Sequence, residues 1–192
     1  MPPRVRITKE EIVDVALSMI RSEGEASLNA RSIAAALGCS TQPIFSNFET
    51  MEALRESVIA RAYETYLSFI EKELALKKYP PYKTFGMAYI RFAEAEKELF
   101  RLLFMRDRTG EDLSPSSDFE VSVSMIAEAN AISRELASLV HMEMWACVHG
   151  IAVMHATSFL SLEESLISRM LSDVYQGVCT RLCEENKKNV CN

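Results

Sequence analysis

Three polar residues directly after a helix-stopping glycine are the first candidates for binding chemistry. In the segment LGCSTQPIFSNF, residues 37–48, Ser40, Thr41 and Gln42 follow Gly38 and precede a proline. A segment that only packed against a core would carry apolar side chains at these positions. Hydroxyl and amide groups donate and accept hydrogen bonds instead, so we expect these three side chains to face another molecule.

The spacing of Ala34, Gly38 and Ile44 indicates a helix-turn-helix. A small residue lets the second helix approach, glycine accepts the left-handed turn, and isoleucine fills the angle between the two helices. In this motif the N-terminal end of the second helix enters the major groove of DNA. The polar residues of the turn are therefore predicted to meet DNA, and a helix-turn-helix that serves only packing is the alternative.

Histidine and cysteine, which enzymes and metal sites use most, show no catalytic pattern. His141, His149 and His155 form no pair one helical turn apart, and we expect hydrogen-bonded histidines in a core or pocket. Cys179 and Cys183 are one turn apart, but small buried side chains fit them better than a metal or redox site, since no histidine is near. The sequence therefore predicts no catalytic residue, no metal, no cofactor and no enzyme.

Composition places the chain among cytoplasmic folded proteins and limits how it could bind DNA. The net charge of −6 argues against a protein that coats nucleic acid, and residues 1–48 carry five basic and five acidic side chains. The start MPPRVRITKEE is followed by no apolar run, which is unlike a secretory signal. The most apolar stretch, MEMWACVHGIAVMHATSFL, is interrupted by Glu143, His149 and His155, so we expect a buried helix and no membrane span.

Helical periodicity runs through the whole chain without an alternating strand pattern, which predicts an all-α fold. Thr8 and Glu11 form a capping box for a first helix that ends near Gly24. Ser27 is expected to cap a short second helix through about Leu37.

Later helices are marked by prolines and polar caps. A third helix is expected to begin at Ser40 or Cys39 with Pro43 in its first turn, where a proline loses no hydrogen bond. Thr50 is expected to cap a long fourth helix that runs into the mid-seventies, and the breaker KKYPPYK follows at 77–83. The remaining helices are predicted at 83–96, 97–106, 118–130, 133–160 and 163–186.

The segment ITKEEIVDVALSMIRSEGEASLNARSIAAALGCSTQPIFSNFETMEAL resembles the N-terminal three-helix domain of TetR-type transcriptional regulators over about fifty residues. The signature of that family after the turn is Tyr, His, Phe, a small residue, Lys, an acidic residue and Leu. The corresponding residues here are Phe45, Asn47, Phe48, Thr50, Met51, Glu52 and Leu54.

Two departures from the signature concern DNA phosphates. Phe45 has no hydroxyl and Met51 no charge, where the Tyr and Lys of the family touch phosphates. Asn47 can still donate a hydrogen bond, and Arg31 and the helix start at Thr50 remain as phosphate partners. The DNA-binding residues that the resemblance implies are Arg31, Ser40, Thr41, Gln42, Phe45, Asn47 and Thr50.

The segments YIRFAEAEKELFRLLF and WACVHGIA resemble TetR-like C-terminal domains of the subgroup named for Trp, His and Gly, here Trp145, His149 and Gly150. The helix predicted at 133–160 is apolar nearly all round, so it must be covered on more than one side. Pairing of the last two helices with those of a second subunit would cover it. Such a homodimer would place two recognition helices on a pseudo-palindromic double-stranded DNA operator.

Aromatic and methionine residues indicate a pocket for a small apolar or aromatic effector. The alternative for any one of them is ordinary core. The predicted pocket residues are Phe85, Tyr89, Phe92, Phe104, Met105, Met125, Trp145 and His149.

Taken with the resemblance, these patterns predict a helix-turn-helix DNA-binding domain at 1–50, joined by a long helix to a ligand-binding and dimerisation domain at 51–192. The predicted function is a ligand-responsive transcriptional regulator of repressor type. The alternative is a helical interaction or ligand-carrier protein of the same fold that has lost DNA binding, and an enzyme ranks last.

Overall fold

The computed structural model describes residues 7–107, 109 and 117–190, and all regular elements in this part of the chain are helical. The predicted all-α class is confirmed. A short 3-10 turn, Glu25–Ser27, lies between the first two α-helices. The α-helices are α1 Lys9–Glu23, α2 Ala30–Ala36, α3 Gln42–Asn47, α4 Met51–Leu76, α5 Pro81–Ala95, α6 Lys97–Phe104, α7 Ser117–Asn130, α8 Arg134–Ala156 and α9 Glu164–Val190.

The capping box at the start of α1 is confirmed. The Glu11 backbone N–H donates to Thr8 Oγ1 at 3.2 Å, and the Thr8 N–H donates to Glu11 Oε2 at 2.8 Å. Two N–H groups that would lack partners in the first turn are thereby satisfied. The helix then buries Ile12, Val13, Ala16, Leu17 and Ile20.

Two predicted caps are wrong by one or two residues. Asn29 caps α2, because its side chain accepts from the Ser32 N–H at 2.9 Å. Ser27 belongs to the 3-10 turn and donates its hydroxyl to the Gly24 carbonyl at 2.7 Å. The cap of α3 is Thr41, where Ser40 or Cys39 was expected. The predicted Thr50 cap of α4 is confirmed, since Thr50 Oγ1 accepts from the Ala53 N–H at 3.1 Å.

The chain forms two compact units. The first comprises Met1–Ser68 and Ala95–Arg106, so α6 packs with the N-terminal helices and chiefly with α1. Arg21 Nε contacts Glu96 Oε2 at 2.9 Å in this unit. The functional division predicted at residues 50 and 51 is a different boundary and stays a prediction.

The second unit comprises Phe69–Glu94 and Asp107–Asn192, with α8 packed on α7 and α9. Gly86 on α5 permits close packing, because a Cβ atom there would lie 3.2 Å from Val148 Cγ2 on α8. Buried Glu73 is paired through Oε1 with Arg91 at 2.9 Å, and Arg91 also contacts Glu164 on α9 at 2.8 Å. These contacts join three helices of the unit.

Helix α8 ends at Ala156, four residues before the predicted end, and Ser158 follows with a left-handed φ of 56°. Within the described ranges it is the one helix whose length and composition would suit a membrane span, and 33% of its apolar window is buried in the single chain. Core helices of water-soluble proteins meet the same two criteria, so this is weak evidence for a span.

Candidate DNA-binding surface and effector region

The turn between α2 and α3 is built around one glycine and two buried side chains. Ile44 is fully buried and Ala34 nearly so. Gly38 has a φ of +64°, in the left-handed region where a side chain would be strained. The Cys39 N–H donates to the Ala34 carbonyl at 3.0 Å and closes the end of α2. The geometry leaves residues 40–42 on the outside of the turn.

Ser40 and Gln42 are exposed, and Thr41 is half-buried. None of these three side chains makes a hydrogen bond to another described residue, and Thr41 caps α3 without using its hydroxyl. Ser46 on the same helix differs, because its hydroxyl donates to the Gln42 carbonyl at 2.9 Å. The polar groups of residues 40–42 can therefore bind a base or a phosphate without giving up a hydrogen bond within the described chain.

Asn47 has a structural role that the sequence did not reveal. Its Nδ2 donates to the Pro43 carbonyl at 2.8 Å and to the Ile7 carbonyl at 3.4 Å. Both amide hydrogens therefore bind the chain itself, and the end of α3 is tied to the residue before the α1 cap. A phosphate contact from Asn47 stays a prediction and would require the longer bond to open.

Cationic groups near α3 are few. Arg31 is exposed in the first turn of α2. Lys9 Nζ lies 4.8 Å from the centre of the Phe48 ring, at the end of α3. Sequence reasoning missed Lys9 as a possible phosphate partner, because its proximity to Phe48 arises from packing of α1 on α3 and no local motif signals it.

Phe45 is the exposed apolar side chain of α3. It is 51% exposed and stands three residues after Gln42, so the two side chains share a helix face. No aromatic or cation contact to the Phe45 ring is made by the described residues. An exposed phenyl ring thus lies beside the open polar groups of the turn.

Two tyrosine–histidine pairs join α5 to α8 in the second unit. The Tyr82 hydroxyl lies 3.0 Å from His141 Nδ1, and the Tyr89 hydroxyl lies 2.9 Å from His149 Nδ1. Trp145 stacks on His149 with ring centres 4.9 Å apart and planes 9° apart. The first pair was missed, because contacts between distant residues leave no local sequence signal.

Burial sets the protonation of these groups. It lowers the pKa of His141 and of His149, since desolvation penalises the imidazolium form. Desolvation is also the largest cause that raises the pKa of Tyr82. The Tyr82–His141 pair therefore joins a protonated phenol to a neutral imidazole, and the imidazole tautomer sets which of the two groups donates. The expectation of hydrogen-bonded histidines is confirmed for His155 as well, whose Nε2 accepts from the Leu162 N–H at 3.3 Å.

The predicted pocket residues differ in burial and in the unit to which they belong. In the second unit Tyr89 and Phe92 are buried, Phe85, Met125 and His149 are half-buried, and Trp145 is 47% exposed. In the first unit Phe104 packs edge-on against Tyr66 at 5.3 Å, and Met105 is exposed. A pocket formed by all eight stays a prediction.

An open depression of about 510 Å³ lies elsewhere in the second unit. Lys78 Nζ and the Tyr79 hydroxyl donate to Glu164 Oε1 at 2.6 and 2.9 Å, and these bonds, that of Lys78 first, lower the pKa of Glu164 to about 2. The depression includes none of the predicted pocket residues. The lining residues are Lys78, Tyr79, Glu163, Glu164, Ser165 and Ser168.

Metal-binding chemistry is not assembled by the described side chains. No group of three or more His, Cys, Asp or Glu residues among them could hold a metal ion. Cys179 is buried, while the side chain of Cys183 and the whole of Cys191 lie outside the described residues.

Comparison with known proteins bears on the second unit and on the fold. Residues 82–174 match the family described as tetracyclin repressor-like, C-terminal domain. None of the curated proteins matches this chain. A solved structure of a protein with unknown function from Rhodococcus sp. RHA1 is similar over 94% of this chain and 98% of its own, with a TM-score of 0.70 and 18% identity, and at that identity the likeness shows the fold alone. The match of residues 82–174 supports a relationship of this chain to the TetR family.

Proposed function

We propose that this protein is a ligand-responsive, DNA-binding transcriptional regulator that acts as a repressor. The observation that carries the proposal is the open polar surface of Ser40, Thr41 and Gln42, held at a helix-turn-helix by Gly38 and Ile44. These groups can bind base edges and phosphates without breaking any bond within the described chain. The tetracyclin repressor-like match of residues 82–174 supports the same function.

The proposed assembly is a homodimer through α8 and α9. Leu139, Met142 and Trp145 on α8 are 44%, 52% and 47% exposed in the single chain. A Cβ atom added to Gly150 on α8 or to Gly177 on α9 would meet nothing within 4 Å, so a second helix can approach both positions. Burying this face against its own copy would remove apolar surface from water.

The proposed effector is a small apolar or aromatic molecule that binds the second unit. The half-buried side chains of Phe85 and Met125 offer an adaptable apolar lining, and the half-buried imidazole of His149 is a polar group beside them in the proposed site. Such an effector can release DNA only if its affinity differs between two arrangements of the dimer. Helix α4 contributes residues to both compact units and is the proposed connection.

The Trp-His-Gly subgroup is part of the proposal. Trp145 stacked on His149, with Gly150 next to it on an uncovered helix face, fits a signature that serves the subunit interface. The exposed position of Trp145 supports this reading, because a core tryptophan would be covered in the single chain.

The alternative function is a ligand carrier or interaction protein of the same fold. The phenyl ring of Phe45 and the uncharged Met51 favour it, since both lack the polar group that the TetR signature offers to phosphates. Neutrality of residues 1–48 also favours it, because nonspecific DNA binding depends on basic charge.

A selection experiment separates the two functions. Purified protein is mixed with double-stranded DNA of random sequence, and bound fragments are sequenced and then titrated by fluorescence anisotropy at two salt concentrations. A regulator enriches a pseudo-palindrome that a dimer binds saturably and more weakly at higher salt. A folded dimer that enriches no sequence at low salt refutes the proposed function.

A matched pair of variants assigns the binding to the turn. Gln42→Ala removes an open amide, while Ser46→Ala alters an exposed residue of the same helix whose hydroxyl already binds the chain. The proposal predicts weaker and less selective binding for Gln42→Ala only. Equal losses in both variants would mean that the turn does not contact bases.

A further inference from the structure

We propose that Phe45 contacts the 5-methyl group of a thymine and makes that base a requirement of the operator half-site. The inference rests on the proposed DNA-binding function and adds a specificity-determining residue to it. A position at which the TetR signature has a phosphate-binding tyrosine would thus serve base selection in this chain.

The exposed side chains of α3 are Gln42, Phe45 and Ser46. Ser46 uses its hydroxyl on the Gln42 carbonyl, which leaves the Gln42 amide and the Phe45 ring to meet a ligand. Phe45 is 51% exposed although Ile44 beside it is fully buried, so the ring is directed away from the core. If α3 binds another molecule, this ring gains free energy from an apolar group of that molecule.

A phenyl ring has no group that can donate a hydrogen bond to a phosphate. Placing the ring against a phosphate would remove water from a charged group without supplying a hydrogen bond in its place. In the major groove thymine presents a methyl group beside its O4 acceptor, whereas cytosine, adenine and guanine carry no methyl group there. The ring therefore favours thymine and disfavours the other bases. The signature tyrosine binds a phosphate through its hydroxyl and so positions the protein on DNA. Phe45 lacks that hydroxyl, and its contact with a base would select sequence instead.

The neighbouring amide narrows the half-site further. Gln42 can bind adenine through N6 and N7, which is the usual glutamine pairing in the major groove. Three residues of α-helix advance by about 4.5 Å, close to the 3.4 Å step between base pairs. The half-site is therefore predicted to place an adenine facing Gln42 next to a base pair whose thymine faces Phe45.

Deoxyuridine substitution tests the methyl contact directly, because uracil keeps every hydrogen-bonding group of thymine and lacks only the methyl. An operator is first selected from random double-stranded DNA with the unaltered protein. Each thymine is then replaced singly by deoxyuridine, and affinity is measured by fluorescence anisotropy. One thymine in each half-site should be sensitive, with a loss of about fourfold, the effect of one buried methyl group.

Variants link that thymine to Phe45. Phe45→Ala should bind the thymine and uracil operators equally, whereas the control Ser46→Ala should keep the difference. Circular dichroism of each variant verifies folding, which is expected because Phe45 is exposed.

The outcomes separate the inference from the function on which it rests. An enriched operator that tolerates uracil at every position overturns the Phe45 assignment and leaves the regulator intact. Uracil sensitivity that persists in Phe45→Ala overturns it in the same way. If no DNA is enriched, both the regulator and the Phe45 contact are refuted, and a protein partner for the exposed ring becomes the next hypothesis.

Discussion

Polar side chains in the turn before α3 and polar side chains between α5 and α8 differ in their hydrogen bonding within the chain. Hydroxyls of Ser40 and Thr41 make no bond to the described chain, whereas those of Tyr82 and Tyr89 each bind a histidine. Groups of the first kind are available to an outside molecule at no cost in internal bonds. In the second region, an incoming ligand must fit beside bonds that already exist or replace one of them.

This difference explains why the proposed DNA-binding surface is easier to assign than the proposed effector site. Open polar groups on a turn can bind another molecule without any bond within the described chain being broken, so a binding role there conflicts with no structural role. Buried aromatic residues such as Phe92 have an evident structural role as core. A pocket among them requires evidence beyond residue type.

The largest effect on stability is expected from a substitution that removes the packing beneath the turn before α3. Ile44→Ala removes a fully buried side chain under the turn, and the free energy of unfolding should fall by about 2–5 kcal/mol. Chemical denaturation monitored by circular dichroism measures this. A loss below 0.5 kcal/mol would mean that Ile44 does not hold α3 in place.

Gln42→Ala should separate binding from stability at the same surface. Discrimination between the selected operator and a variant at the contacted base should fall by about 1–3 kcal/mol, the value of one good base contact. Thermal stability should stay the same, since the amide makes no bond within the described residues. Competition titrations and thermal melts measure the two quantities, and a large loss of stability would show that Gln42 is structural.

Tyr89→Phe, between α5 and α8, should lower stability, whereas Gln42→Ala should leave it unchanged. The variant leaves His149 Nδ1 without its phenol partner at 2.9 Å and should lower the free energy of unfolding by about 1 kcal/mol. Ser40→Ala is the matched loss of an open hydroxyl and should change stability by less than about 0.5 kcal/mol. Similar losses in the free energy of unfolding of the two variants would contradict the distinction between open and hydrogen-bonded hydroxyls.

The smallest effect is a pH dependence confined to the second unit, which contains all three histidines. Burial lowers the pKa of His141 and His149 below the ordinary 6.5, so the unfolded chain binds more protons between the two values. This contribution to stability is therefore complete above about pH 6.5 and is lost as pH falls through the folded-state values.

Denaturation curves at pH 7 and pH 5 measure this effect. The double variant His141→Gln, His149→Gln keeps polar side chains at both sites and serves as the control. Its stability should change less between the two pH values than that of the unaltered protein. An identical change in both would assign the pH dependence to the carboxylates.

Local features of the fold were predictable, and contacts between distant residues were not. The Thr8–Glu11 capping box and the Thr50 cap depend on neighbours within one turn, so the sequence shows them directly. Asn29 replaced Ser27 as a cap because a 3-10 turn takes up Ser27, and that turn has no strong sequence signal.

The candidate site divides in the same way. Exposure of Ser40 and Gln42 follows from their place after Gly38 in a helix-turn-helix. The Asn47 bonds to Ile7 and Pro43 depend on how α3 packs beside the chain entering α1, which no residue pattern encodes. The Tyr82–His141 pair was missed for the same reason.

A hydroxyl-radical footprint of the protein on its selected operator tests the central claim most directly. A dimer that presents two copies of the open α3 surface should protect two segments on one face of the duplex, with centres about 10 base pairs apart. Gln42→Ala should weaken both segments together. A single protected segment, or no protection at protein concentrations that saturate dimer formation, would contradict the account.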